Sequence, residues 1–188
     1  MQKKERKKTK LEEKFYNWLR VDAIENHPEK SWSAVTLSLK PRIKRKDGTY
    51  QKLTDTENGI TKVTKELLKR LDFAVYKHAY KRKSKTLYCV PVQEKNAYGD
   101  RYHIHMLLEL PKRYQNKPEV FKELVVNTAK NLRWFESGKN AQHDVQVLSD
   151  TEHAKNWLGY ILKKAGNRGD NIDLENMCKD NENRKAVS

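Results

Sequence analysis

The sequence predicts an α+β fold in which a central antiparallel β-sheet carries helices on its faces. Three observations predict it. Segments with apolar residues at helical spacing alternate with short runs of β-forming residues. Asp47-Gly48 stands between two such runs as a hairpin turn signal. The run YHIHMLLELP (102–111) reads as one strand with two distinct faces.

The first ten residues, MQKKERKKTK, form a basic arm. In LEEKFYNWLRVDAIEN, residues Leu11, Phe15, Trp18, Leu19, Val21 and Ile24 fall near helical spacing, which predicts an amphipathic helix laid against the domain. WSAVTLSLK (32–40) reads as a strand, and PRIKRKDGTYQKL as a ribbon bearing Arg42, Lys44, Arg45, Lys46 and Lys52. Ile60, Val63, Leu67, Leu68, Leu71, Ala74 and Val75 predict a helix from Gly59 to about Tyr80. Its basic end, KHAYKRKSK, leads into the strand LYCVPVQE (87–94). A polar turn at 96–100 makes this strand and 102–110 an antiparallel hairpin. A helix follows Pro118 through PEVFKELVVNTAKNLRWF, and HDVQVLS (143–149) is a strand. A capping signal at Ser149 or Asp150 starts the last helix, TEHAKNWLGYILKKA. The expected division is an arm and N-terminal helix (1–30), one domain (31–165) and a flexible polar tail (166–188).

A chain of 188 residues supports one such domain plus tails. Its 40 Lys+Arg against 25 Asp+Glu leave a formal charge of +15, which points to a polyanion as partner, because neutralised phosphates release counterions. Two cysteines imply no disulfide framework and no Cys-based zinc site. No run approaches the length of a membrane span, and no apolar segment backs the basic N-terminus, so a reduced, cytoplasmic setting without membrane contact is expected. The pattern GxxxxGK[ST] is missing, which excludes a P-loop module from this sequence. Paired H-x-T or H-x-S motifs are missing too, which argues against a cyclic phosphodiesterase or ribonuclease of that kind.

In the strand 102–110, Tyr102, Ile104, Met106, Leu108 and Leu110 share one face, and His103, His105, Leu107 and Glu109 the other, so two imidazoles are expected to look out side by side. On the last helix, Ala154, Trp157, Leu158, Ile161, Leu162 and Ala165 form the core stripe. Tyr160 lies just beside it, with His153 and Trp157 on the same flank and Lys163 and Lys164 about one turn on. Each feature alone has an ordinary structural reading, as a satisfied histidine pair or a boundary tyrosine.

Together and in this order, SAVTLSL on an early strand, HIHMLLEL, and YILKK on a late helix resemble the HUH endonuclease superfamily of rolling-circle initiators, relaxases and single-strand transposases. The marks carried are His103-Ile104-His105 and the Y-x-x-K of Tyr160 to Lys163, and the resemblance spans roughly 31–165. It implies an RRM-like palm fold and a metal-dependent enzyme that nicks and joins single-stranded DNA through a 5′-phosphotyrosine, initiating rolling-circle replication of a plasmid or phage. Tyr160 would be the nucleophile, with Lys163 or Lys164 steadying charge. His103 and His105 would be metal ligands for Mg²⁺ or Mn²⁺. Glu94, nine residues before His103, is the expected third ligand and His143 the runner-up. A lone tyrosine on this helix resembles the single-tyrosine initiators and transposases. With no helicase appended, a host helicase would act in trans.

Lys44, Arg45 and Lys46 on the ribbon, and Lys81, Arg82 and Lys83 after the long helix, are the candidate contacts to a single-stranded DNA or origin-hairpin backbone. Tyr76, Tyr80 and Tyr98 are candidate stacking platforms, each equally readable as packing. Two alternatives stay open: a transposase or relaxase of the same chemistry, and a non-catalytic basic nucleic-acid-binding protein.

Overall fold

The computed structural model describes residues 10–53, 59–95, 102–138, 141–164 and 171–177. Among these, α1 (Lys10–Leu19) runs into a π-helical turn (Arg20–Glu25), followed by β1 (Ser31–Leu39), β2 (Arg42–Lys44), β3 (Tyr50–Lys52), α2 (Gly59–Tyr76) and α3 (His78–Lys83). Then come β4 (Cys89–Lys95), β5 (Tyr102–Leu110), α4 (Pro118–Lys130), β6 (Asp144–Val147) and α5 (Thr151–Lys164). The fold is α+β, as expected. Its main sheet has the order β4-β5-β1-β6, with every neighbouring pair antiparallel. β2 and β3 form a separate ribbon closed at Gly48, whose φ of 86° suits a residue without a Cβ. Asp47 Oδ1 accepts bonds from the Thr49 N–H at 3.0 Å and the Thr49 hydroxyl at 2.6 Å across that turn.

Alternation along β1, β4 and β5 produces two apolar layers. On one face, Val35, Leu37, Ile104, Met106 and Leu108 pack against Val63, Leu67 and Leu71 of α2 and Phe121, Val125 and Ala129 of α4. On the other, Trp32, Val90, Val92 and Leu107 meet Leu19, Ala23 and Ile24 of the N-terminal helix and Ala154, Leu158 and Ile161 of α5. Each fully buried aliphatic or aromatic side chain contributes roughly 1.5–3 kcal/mol. Leu19, Ala23 and Ile24 are therefore integral to the second layer, and the N-terminal helix shares the domain's core.

Three elements differ from the sequence expectation. The helix expected to reach Tyr80 breaks at Lys77 (φ 46°), where the apolar stripe runs out; α3 beyond it buries no residue. The helix expected to reach Phe135 stops at Lys130. Phe135, fully buried, instead bridges to Leu39, and the Trp134 carbonyl accepts the Lys40 N–H at 2.8 Å, so the end of β1 captures this segment's backbone. Residues 171–177, expected within a flexible tail, dock on the edge of β4. Ile172 bridges Val92, the Asp173 N–H donates to Pro91 O at 3.0 Å, and the Gln93 N–H donates to Asn171 O at 2.7 Å. Buried Asp173 and Asn176 bond Gln93 and Thr61, so polar residues here satisfy one another and an open strand edge. The basic arm before Lys10 and the turn at 96–100 lie outside the described residues.

At the end of the sheet where β4 begins, two carboxylates anchor the entering chain. Asp72 Oδ1 accepts the Leu87 N–H at 2.7 Å, and Glu109 Oε2 accepts the Tyr88 N–H at 3.1 Å. Burial pushes the Asp72 carboxyl up to about 7 from 3.8; the Leu87 bond opposes this rise and the charge of Glu109 adds to it.

Candidate functional site

The strand register assembles the site. His105 pairs with Thr36 of β1 and Val92 of β4, and His103 with Ser38 and Glu94. Directly paired residues share a face, so Glu94, His103, His105 and Thr36 stand together on the face that α5 covers. His105 Nε2 lies 2.6 Å from Glu94 Oε2, and its Nδ1 lies 2.9 Å from Thr36 Oγ1. An ionised carboxylate only accepts, so with Glu94 charged the proton sits on Nε2. The His103 and His105 ring centroids are 6.2 Å apart.

α5 brings the tyrosine. Its start is capped by Asp150, whose Oδ1 accepts the His153 N–H at 2.8 Å; that bond, with others from the His153 and Ser149 side chains, holds the Asp150 carboxyl down to about 2. His153 is thereby occupied at the helix start, away from the histidine pair. The Trp157 indole N–H donates to Met106 O at 2.9 Å, which fastens the helix to β5 at the residue next to His105. The Tyr160 ring stacks on Trp157 at 5.2 Å and stands edge-on to His105 at 6.3 Å. Trp157 also meets His105 edge-on at 6.0 Å. Tyr160 is nonetheless 45% exposed, so its ring leans on the site while presenting surface to solvent. From the far side, the Tyr16 hydroxyl donates to Lys155 O at 3.4 Å, bracing the helix against α1.

No protein-family model, curated protein or solved structure matches the chain.

The expectation of two outward-looking imidazoles needs correction. His105 is only 5% exposed, roofed by Trp157 and Tyr160, whereas His103 is half-buried. Sequence alternation assigns a face to a residue but does not say what covers that face. Glu94, the expected third ligand, does stand beside both histidines. Two imidazoles and a carboxylate suit a divalent cation in donor type. Among the described residues, however, no group of three His, Cys, Asp or Glu side chains stands in a ready metal-holding arrangement. Glu94 and His105 are instead joined directly through a proton, which a cation would have to replace.

His143, the runner-up ligand, is engaged elsewhere, with both ring nitrogens on the backbone. Its Nδ1 accepts the Ser38 N–H at 3.2 Å and its Nε2 donates to Glu136 O at 2.7 Å. Burial, the largest influence, lowers its pKa and keeps it neutral for this role. Lys163 is exposed one turn beyond Tyr160, and the Lys164 side chain lies outside the described residues.

The basic residues separate into two places. Lys44, Arg45 and Lys46 are exposed on the ribbon that begins just after Pro41, three residues beyond Ser38 and so at the His103 end of the sheet. Lys81, Arg82 and Lys83, also exposed, sit near the start of β4. At roughly 3.3 Å per residue, Tyr88 is about 20 Å from Glu94, so this second cluster does not join the site. Tyr98 lies outside the described residues, and Tyr76 is half-buried beneath Lys85 at 4.9 Å.

Sequence reading missed two members of the site. Thr36 is a polar position within VTLSL, but the register that sets it against His105 is not visible in one strand alone. Trp157 was visible as a core residue, and its second task, holding Tyr160 by stacking, depends on the helix's rotation over the sheet.

Proposed function

We propose that the chain is a metal-dependent enzyme that nicks and joins single-stranded DNA through Tyr160. The observation that carries this reading is the position of the Tyr160 ring, 6.3 Å from the His105 ring and on the same face of the sheet as His103 and Glu94. A phenol so placed can reach a phosphate docked against the histidine pair. The phenolic oxygen forms the new bond to phosphorus, the bond from phosphorus to the 3′ oxygen breaks, the phenol gives up its proton, and the departing 3′ oxygen takes one. Reversal by a 3′-hydroxyl rejoins strands without ATP.

A divalent ion, Mg²⁺ or Mn²⁺, held by His103, His105 and Glu94 would withdraw charge from the non-bridging oxygens. The chain's own residues supply the rest. Thr36 fixes the His105 ring, Trp157 orients Tyr160, Lys163 stands one turn along the helix as a counter-charge for phosphate, and the ribbon's Lys44, Arg45 and Lys46 hold the strand's backbone. Initiation of rolling-circle replication of a plasmid or phage in the cytoplasm, with a helicase acting in trans, is the biological role that this chemistry fits; a transposase or relaxase would use the same steps. No helix among the described residues is long and apolar enough to cross a membrane.

A second reading has its own support. Both ring nitrogens of buried His105 are bonded, to Thr36 and Glu94, as in a histidine whose task is structural. The chain would then bind nucleic acid without cutting it. Incubation with a randomised single-stranded DNA library and Mn²⁺, followed by denaturing electrophoresis, separates the two. A DNA adduct that survives denaturation and is lost in Tyr160→Phe supports the nickase; DNA binding with no adduct supports the binding protein.

A further inference from the structure

A cleft of about 500 Å³ opens between α2, the ribbon and the segment after α4, a size usual for small-ligand sites. Val63 and Leu132, which belong to the α2–α4 core layer, form part of its lining, so it lies on the face of the sheet opposite the histidine pair. It nevertheless sits at the same end. Lys40 bonds Trp134 O at 2.8 Å just beyond the end of β1, and Arg133 Nη2 donates to Lys44 O of the ribbon at 3.1 Å. Lys62, Arg70 and Arg133 supply positive charge at its rim, against Glu66, which pairs with Arg70 at 2.7 Å. Among the described residues Lys62 has no acidic partner. Trp134 contributes a half-buried indole with no hydrogen bond from its ring nitrogen to a described residue.

Cations around a half-covered aromatic plane match a nucleotide: the plane offers a stacking surface and the cations meet the phosphate. An acidic peptide would use the cations and leave the indole without a stacking partner. The ribbon follows β1 at its His103 end, lines the cleft through Gln51 and exposes Lys44, Arg45 and Lys46. We infer that the cleft is a second nucleic-acid subsite, holding one base and its phosphate from the same single strand that enters the Tyr160 site, after the strand has passed over the ribbon. The inference rests on the proposed function for the identity of the strand but not for its measurement.

The test uses the full chain carrying Tyr160→Phe, in EDTA, so that no cutting contributes. Fluorescence anisotropy compares short and long oligothymidylates, about 6 and about 20 nucleotides. The long strand is expected to bind at least tenfold tighter, and Lys62→Glu with Arg133→Glu to cut that gain below threefold. The matched charge change Lys69→Glu with Lys112→Glu, at exposed positions outside the cleft, is expected to retain most of it. Trp134→Phe, which keeps an aromatic ring, is expected to lose less than Lys62→Glu with Arg133→Glu. An undiminished gain in the cleft variant, or equal loss in the matched control, overturns the inference. Competition by thymidine monophosphate as effective as the long strand would assign the cleft to free nucleotides, and competition by polyglutamate of that strength to acidic chains; either overturns it too. Because adduct formation is not read, a length-dependent gain with no adduct in the wild type sinks the nickase alone, and an adduct without the gain sinks the cleft alone.

Discussion

Asp72→Asn is expected to stabilise the protein at pH 8 and to do little near pH 4. Asp72 is buried, and its carboxyl rises from 3.8 to about 7 in the fold because burial disfavours the charged form. A raised carboxyl pKa means that the folded state holds its proton more tightly than the unfolded chain. The stabilising contribution is therefore complete below the unfolded value and is lost as pH climbs through the folded one. At about 1.4 kcal/mol per unit, a rise of about three units corresponds to roughly 4 kcal/mol lost between pH 4 and pH 8. Asparagine has no charge to bury and can still accept the Leu87 N–H, so the variant escapes most of that loss. Urea unfolding followed by circular dichroism at pH 4, 6 and 8 measures it. The variant's advantage should grow steadily over that range to a few kcal/mol. An advantage independent of pH, or a variant less stable at pH 8, would refute the assignment of a strained buried carboxylate. Since Asp72 anchors Leu87, at the end of the sheet remote from Glu94, adduct formation should be unchanged.

Trp157→Ala removes both the stack on Tyr160 and the bond to Met106 O, and is expected to slow adduct formation at least tenfold. Trp157→Phe keeps the ring and should restore most of the rate, which separates orientation of Tyr160 from general loss of packing. Thr36→Val deprives His105 Nδ1 of its partner and is expected to weaken Mn²⁺ binding 10–100-fold by calorimetry, with little change in affinity for a long oligothymidylate; unaltered Mn²⁺ affinity would remove Thr36 from the site. Reversing Lys44, Arg45 and Lys46 should weaken single-strand binding in Tyr160→Phe more than reversing Lys81, Arg82 and Lys83, because only the first set lies at the His103 end. Equal losses would place the strand elsewhere.

The fold class was legible because β1, β4, β5 and the stripe of α5 carry period and alternation strong enough to survive tertiary context. Ala154, Leu158 and Ile161 are fully buried, as their spacing requires. Glu94 was expected from its spacing of nine residues to His103 and its place at the end of the preceding strand, and the β4–β5 register sets it directly opposite His103. What could not be read was non-local. The roof over His105 depends on how α5 is rotated above the sheet, the partnership of Thr36 on the β1–β5 register across 69 residues, and the segment after Lys130 on a backbone partner offered by Leu39. The polar stretch 171–177 looked like solvent-exposed chain because its apolar content is low; it docks through hydrogen bonds to a strand edge, a force that hydrophobic patterning does not register.

The central claim is that Tyr160 is the residue joined to DNA. Mass spectrometry of the proteolysed adduct tests it most directly, by locating the nucleotide remnant on the chain. The account predicts the remnant on the peptide containing Tyr160, attached through a 5′ phosphate, with its yield falling when His103 or His105 is replaced by alanine. A remnant on another tyrosine, or none in the presence of Mn²⁺ and cleavable single-stranded DNA, would contradict it.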